Sequence, residues 1–144
     1  MIKRYTCQNG VRIVLENNPT VRSVAIGVWI GTGSRHETPE INGISHFLEH
    51  FIHQGTKNYK SFELFSEAIE FEGMYQNAQS GSFSTVYYVD SPSEKGEKAL
   101  DFLYELVFLP TLPASRLNHV KKIVLSEYFG YWSEPLNKFK QKMF

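Results

Sequence analysis

Only one cysteine, Cys7, occurs in the chain, so no internal disulfide can staple it, and a reducing compartment is the expectation. Long apolar runs are missing too: none exceeds a handful of residues, against the roughly 20 that a membrane-spanning helix needs. Met1-Ile2-Lys3-Arg4-Tyr5 passes straight into strand-like sequence with no apolar signal segment. The predicted address is cytoplasmic. A mitochondrial matrix protein stripped of its transit peptide is the alternative, because it would read the same way. Charge of one sign is also lacking, since Lys and Arg (15) balance Asp and Glu (15) and no basic cluster stands out. That argues against a nucleic-acid partner and against a polybasic membrane surface. Gly31-Thr32-Gly33-Ser34-Arg35 has neither a further glycine nor a Lys-Ser/Thr pair after it, which excludes a phosphate loop.

What is present is an ordinary globular composition, 42% hydrophobic and rich in aromatics at 15%. At 144 residues the chain suits a single domain with room for a core. The stretch that carries chemistry is His46-Phe47-Leu48-Glu49-His50. On a helix His50 lies about 40° round from His46 and one turn along, and Glu49 about 60° to the other side. Two imidazoles can then share one metal ion beside a carboxylate free to act as a base, the donor set of zinc hydrolysis. The order His-x-x-Glu-His is the inverzincin signature, the reverse of the commoner zincin order. A helix with two unremarkable histidines would show the same five residues. His53 offers a second pairing, with His50 at i, i+3, although the reading preferred for it is that it packs or lines the rim of the site.

Residues 2–7 and 11–16 read as strands of a hairpin turning at Asn9-Gly10, with Val11, Ile13 and Leu15 on an apolar face. Val21 to Ile30, dense in β-branched residues, reads as a central strand. Asn42 is the expected N-cap of the motif helix, which runs to Gln54 with Ile44, Phe47, Leu48 and Phe51 as its packing surface. Ser61 precedes a second helix bearing Phe62, Phe65, Ala68 and Ile69 on one side and ending at Gly73. Met74 to Ser80 and Phe83 to Asp90 read as consecutive strands, and Ser91-Pro92-Ser93-Glu94 as a capping box opening a third helix that runs to about Phe108. Pro113 opens a fourth. The inward stripe of that last helix is Leu117, Val120, Val124 and then Glu127. A carboxylate on an apolar face demands a partner, which would be either a lysine or arginine or a bound cation. The second case would complete a His2Glu site with its fourth position open.

These residues carry a family likeness. Asn42-Gly43-Ile44-Ser45-His46-Phe47-Leu48-Glu49-His50 followed by Gly55-Thr56 resembles the signature of the pitrilysin, insulin-degrading enzyme and mitochondrial processing peptidase family. Gly27-Val28-Trp29, Gly33-Ser34-Arg35, Glu37 and the Asn9-Gly10 hairpin are similar to the segments that precede the motif there, and Asn77-Ala78, Thr85 and Tyr87-Tyr88 to the strand beside the cleft. The resemblance implies that His46 and His50 bind Zn²⁺, that Glu49 is the catalytic base, and that Glu127, 77 residues after His50, is the third metal ligand. It implies substrate binding at Asn77 and Ala78, with an extended peptide added as a strand.

The pattern departs at three places. Val120 stands where a second glutamate is usual, a loss expected to lower metal affinity or rate. Glu72 replaces a common glycine, and His53-Gln54 an aromatic-basic pair. Members of the family run to several hundred residues and close a cleft between two halves. Residues 1–144 are therefore expected to form the N-terminal part of a zinc metallopeptidase catalytic domain, with a second half or partner subunit elsewhere. The expected fold is α+β, an antiparallel-rich sheet with helices packed mainly on one face, an incomplete clamshell domain. The expected activity is a zinc metalloendopeptidase, cleaving peptides or presequence-like segments by Glu49-assisted attack of zinc-bound water. The rival is a non-catalytic scaffold module of the same family that assists a partner peptidase.

Overall fold

In the computed structural model, which describes residues 1–135 and 137, the backbone follows the hydrophobic periodicity closely, with the departures at element ends and sheet edges. Gly10, at φ +86°, makes the turn between β1 (Ile2–Thr6) and β2 (Arg12–Glu16), which pair antiparallel with Ile2 opposite Glu16. Among the described residues this hairpin is a separate two-stranded sheet, and the apolar face read at Val11, Ile13 and Leu15 is exposed. A lone ribbon of this kind is marginal without a surface to lie on.

The main sheet has three strands, β3 (Ser23–Ile30), β4 (Tyr75–Ser80) and β5 (Thr85–Pro92), in the order β3-β5-β4 and antiparallel throughout. Among the described residues the Val21–Ile30 segment is thus an edge strand and β5 the central one, contrary to the sequence expectation. Alternating β-branched residues report burial of one face and say nothing about which edges are paired. Ile26 and Val28 do face the core, in register with Val89 and Tyr87, and Ala78 of β4 continues the row.

Against that face lie α1 (Ile44–Ile52), α2 (Phe62–Phe71) and α3 (Gly96–Phe108), and α4 (Leu117–Ser133) packs on α1. Phe65 and Ile69 of α2, Ile52 of α1, and Ala99, Phe102, Leu103 and Leu106 of α3 form one buried cluster with Tyr87 and Val89. Each large member contributes about 1.5–3 kcal/mol by leaving water. The opposite face of the sheet carries exposed Trp29 and Tyr75. The fold is therefore α+β with its helices on one face.

The starts of the two later helices differ from the sequence reading, whereas that of α2 agrees. Ser61 caps α2 through its hydroxyl, which accepts the Leu64 N–H at 3.4 Å. The Ser91–Glu94 box does not form: β5 continues through Pro92 in the register of Ser23, and α3 begins at Gly96 after a 3₁₀ turn at Ser93–Lys95. Pairing with β3 takes the backbone that a cap would have used. Similarly, Pro113 leads into a 3₁₀ turn at Ala114–Arg116 before α4.

Candidate metal centre

The site is built on α1, and α1 is fixed at its first turn by a residue outside it. Gly43, at φ +89°, is the N-cap and has no side chain to offer, so the cap expected at Asn42 is not made. Glu37 performs it instead, its carboxylate accepting the N–H groups of Gly43 at 2.7 Å and Ser45 at 2.8 Å. Partial desolvation pushes the Glu37 pKa up, but the hydrogen bonds from Gly43 and Ser45 outweigh it and hold the carboxyl below its usual range. The negative charge also sits at the positive end of the helix dipole. Glu37 is delivered by a loop that folds onto the β4–β5 turn, where Ser34 N–H reaches the Gly81 carbonyl at 3.1 Å. At Gly33 a Cβ would fall 2.2 Å from that same oxygen, so only glycine allows the approach.

Of the packing surface predicted for α1, Phe51 is buried, but Ile44 and Leu48 are about half exposed, and Ile52 enters the core in their place. His46 and His50 stand one turn apart as expected, with Nε2 atoms 3.1 Å from each other. From α4, Glu127 Oε2 comes to 3.1 Å from His50 Nε2 and 3.3 Å from His46 Nε2. Glu127 is not buried, as the stripe reading had it, since its side chain is 49% exposed. The stripe instead rises out of the protein: Val120 is fully buried, Val124 is half-buried and Glu127 reaches the opening. Among the described residues its partners are the two imidazoles and no lysine or arginine.

Does this triangle fit a metal ion? A tetrahedral zinc bound at about 2.0–2.1 Å needs donor atoms about 3.3–3.4 Å apart. Sides of 3.1, 3.1 and 3.3 Å are close to that face, and the three donor atoms form a group within metal-binding reach of one another. When each imidazole carries its proton on Nδ1, all three lone-pair donors face one centre. All three side chains are partly exposed among the described residues.

Glu49 lies beside this triangle on α1, partly buried, and its carboxylate makes no hydrogen bond among the described residues. Tyr87 is its near neighbour on β5. Burial first, and the Glu49 charge second, push the Tyr87 phenol up to about 12. That hydroxyl therefore keeps its proton at any working pH.

His53, the alternative partner for His50, is turned away from the triangle. Its Nδ1 lies 2.7 Å from the Glu49 carbonyl oxygen and its Nε2 3.0 Å from the Gln76 amide on β4. A carbonyl only accepts, so Nδ1 carries the proton. Burial pushes the His53 pKa down, against smaller upward pushes from the Glu49 carbonyl and from the Gln76 Oε1 that faces Nε2.

Asn77 and Ala78 lie on β4, whose second edge is unpaired among the described residues. The Ala78 N–H is taken by its neighbour's Asn77 Oδ1 at 2.8 Å and therefore points to that free edge. Sequence reasoning missed a further cluster just beyond α1. Buried Glu105 of α3 accepts the Thr56 hydroxyl at 2.8 Å and the Asn58 N–H at 2.7 Å on one oxygen, and the Asn58 amide at 3.0 Å on the other. The only hint in the sequence was an acid within the Phe102–Leu106 stripe.

Comparison with known proteins places the chain in a family. The family described as Insulinase (Peptidase family M16) matches residues 12–144. A protein of Bacillus subtilis named "Uncharacterized zinc protease YmxG" is 55% identical over 135 residues, which are 94% of this chain and 33% of that protein. The mitochondrial-processing peptidase subunit beta of Rattus norvegicus is 34% identical over 125 residues, covering 86% of this chain and 25% of its own length. The crystal structure of a protease from Helicobacter pylori superposes with a TM-score of 0.85 at 24% identity, over 96% of this chain and 33% of that one. The chain thus spans a third or less of the length of these proteins.

Proposed function

The chain belongs to the insulinase family of peptidases (peptidase family M16), and from that premise we propose that it is the metal-carrying N-terminal part of a catalytic domain in a zinc-dependent endopeptidase. The observation that carries this reading is the triangle of His46, His50 and Glu127 donor atoms at 3.1–3.3 Å, drawn from two helices. Relatives named as zinc proteases support the choice of metal. His46 and His50 would hold the ion through Nε2 and Glu127 through Oε2. When bound, zinc supplies a Lewis acid that polarises a peptide carbonyl and brings the pKa of water toward neutrality.

The rest is work for this protein's own groups. Glu49, free of hydrogen-bond partners among the described residues, takes a proton from the attacking water and returns it to the nitrogen of the departing amine. Tyr87, with its high pKa, does not compete for that proton. The substrate is a peptide or presequence-like segment lying extended along the free edge of β4. There the Ala78 N–H exchanges the Asn77 side chain for a substrate carbonyl.

The intact enzyme includes further polypeptide, a second half or a partner subunit, in keeping with the third of relatives' length that the chain spans. No described helix is long and apolar enough to cross a membrane. A bacterial relative fits a cytoplasmic site, and mitochondrial relatives fit the matrix. Glu49→Gln is the test: zinc should remain near one per chain while cleavage of a quenched peptide disappears. Undiminished cleavage by the variant would remove Glu49 from the role of base.

A further inference from the structure

A helix leaves its last four carbonyls without helical partners. In α1 two of these belong to motif residues, and the side chains of the next two residues take them. His53 Nδ1 meets the Glu49 carbonyl at 2.7 Å, and Gln54 Nε2 donates to the His50 carbonyl at 3.2 Å. Neither side chain is loose. Gln54 is buried, and the His53 ring is held between Phe62 and Tyr87, with centroids 6.3 and 6.1 Å away. The far nitrogen of His53 reaches Gln76, the residue before Asn77 on the open edge strand.

We propose that His53 and Gln54 are positioning residues, whose side chains together cap the C-terminal end of α1. They fix the turn bearing Glu49 and His50 and, through Gln76, set its distance from β4. A backbone cap would satisfy the same carbonyls but would not tie them to the strand. The structural part of this proposal stands on the hydrogen bonds alone. Its catalytic consequence rests on the functional reading given above: freeing the turn lets the base drift from the substrate edge, so turnover falls while peptide affinity holds.

The test uses the full-length protein with His53→Phe, which keeps an aromatic ring between Phe62 and Tyr87, and His53→Asn, whose amide nitrogen can stand where Nδ1 stands. Amide hydrogen exchange over residues 50–54 should quicken about five- to tenfold in His53→Phe, the effect of one lost hydrogen bond, with α3 amides unchanged. His53→Asn should restore most of that protection. In zinc-loaded protein, kcat should fall by a similar factor in His53→Phe with KM nearly constant. Exchange at residues 50–54 within about twofold of the parent would overturn the proposal, as would an equal acceleration throughout α3. A parent protein that neither binds zinc nor cleaves peptide would sink the functional reading instead, and the exchange result would still decide the cap.

Discussion

Replacing Glu37 by glutamine separates the charge of the α1 cap from its shape. The carboxylate accepts two backbone N–H groups at 2.7 and 2.8 Å, both at the start of the helix that carries His46 in its first turn. A hydrogen bond to a charged acceptor is worth about 1.5–3 kcal/mol, and a charge at the helix N-terminus about 0.3–1 kcal/mol. Glu37 is only partly buried, so water replaces part of what is lost. A net loss of about 1–2 kcal/mol is expected, in line with other N-cap replacements. Because the folded pKa of Glu37 is depressed, its contribution is fully present above the unfolded carboxylate value, about 4.3. It fades as pH falls through the lower folded value. Urea unfolding at neutral pH should therefore show the deficit, and the parent and Glu37→Gln curves should converge on acidification. Zinc affinity should weaken at neutral pH too, as the first turn of α1 frays under His46. Equal stability of the two proteins at pH 7, or a gap that does not close in acid, would refute this account of the cap.

Two further outcomes follow from other parts of the structure. Glu105→Ala leaves the Thr56 hydroxyl and both Asn58 donors without their acceptor beneath the loop after α1, and should cost about 2–4 kcal/mol in thermal or urea unfolding; a loss under about 0.5 kcal/mol would contradict the buried network. Ala78→Pro removes the outward N–H of β4 without touching its pairing to β5, and should raise KM for peptides several-fold with kcat little changed. A fall in kcat alone would place the substrate elsewhere.

What the sequence made legible was local. The positions of His46, Glu49 and His50 follow from helical pitch, and the odd acid on the α4 stripe identified Glu127, because both depend only on spacing within one element. Its exposure was misjudged because a stripe does not say where along its length the helix leaves the interior. Edge and centre of the sheet were also illegible: β3 and β5 carry similar side chains, and only tertiary pairing distinguishes them. The Glu37 cap and the Glu105 network lay beyond reach for the same reason. Glu37 acts six residues ahead across a loop whose path depends on contact with Gly81, and Glu105 reaches a loop 49 residues away. His53 packs between Phe62 and Tyr87 with its protonated nitrogen on a backbone carbonyl, in line with the packing role the sequence favours over metal binding.

Zinc titration of the full-length protein alongside Glu127→Ala, with binding followed by competition against a chelating dye, addresses the metal centre most directly. One equivalent per protein molecule is expected for the parent, with affinity falling by at least about a hundredfold when the third donor is removed from the His46–His50 pair. Equal affinity in the two proteins would mean that the convergence of these side chains serves something other than a shared ion.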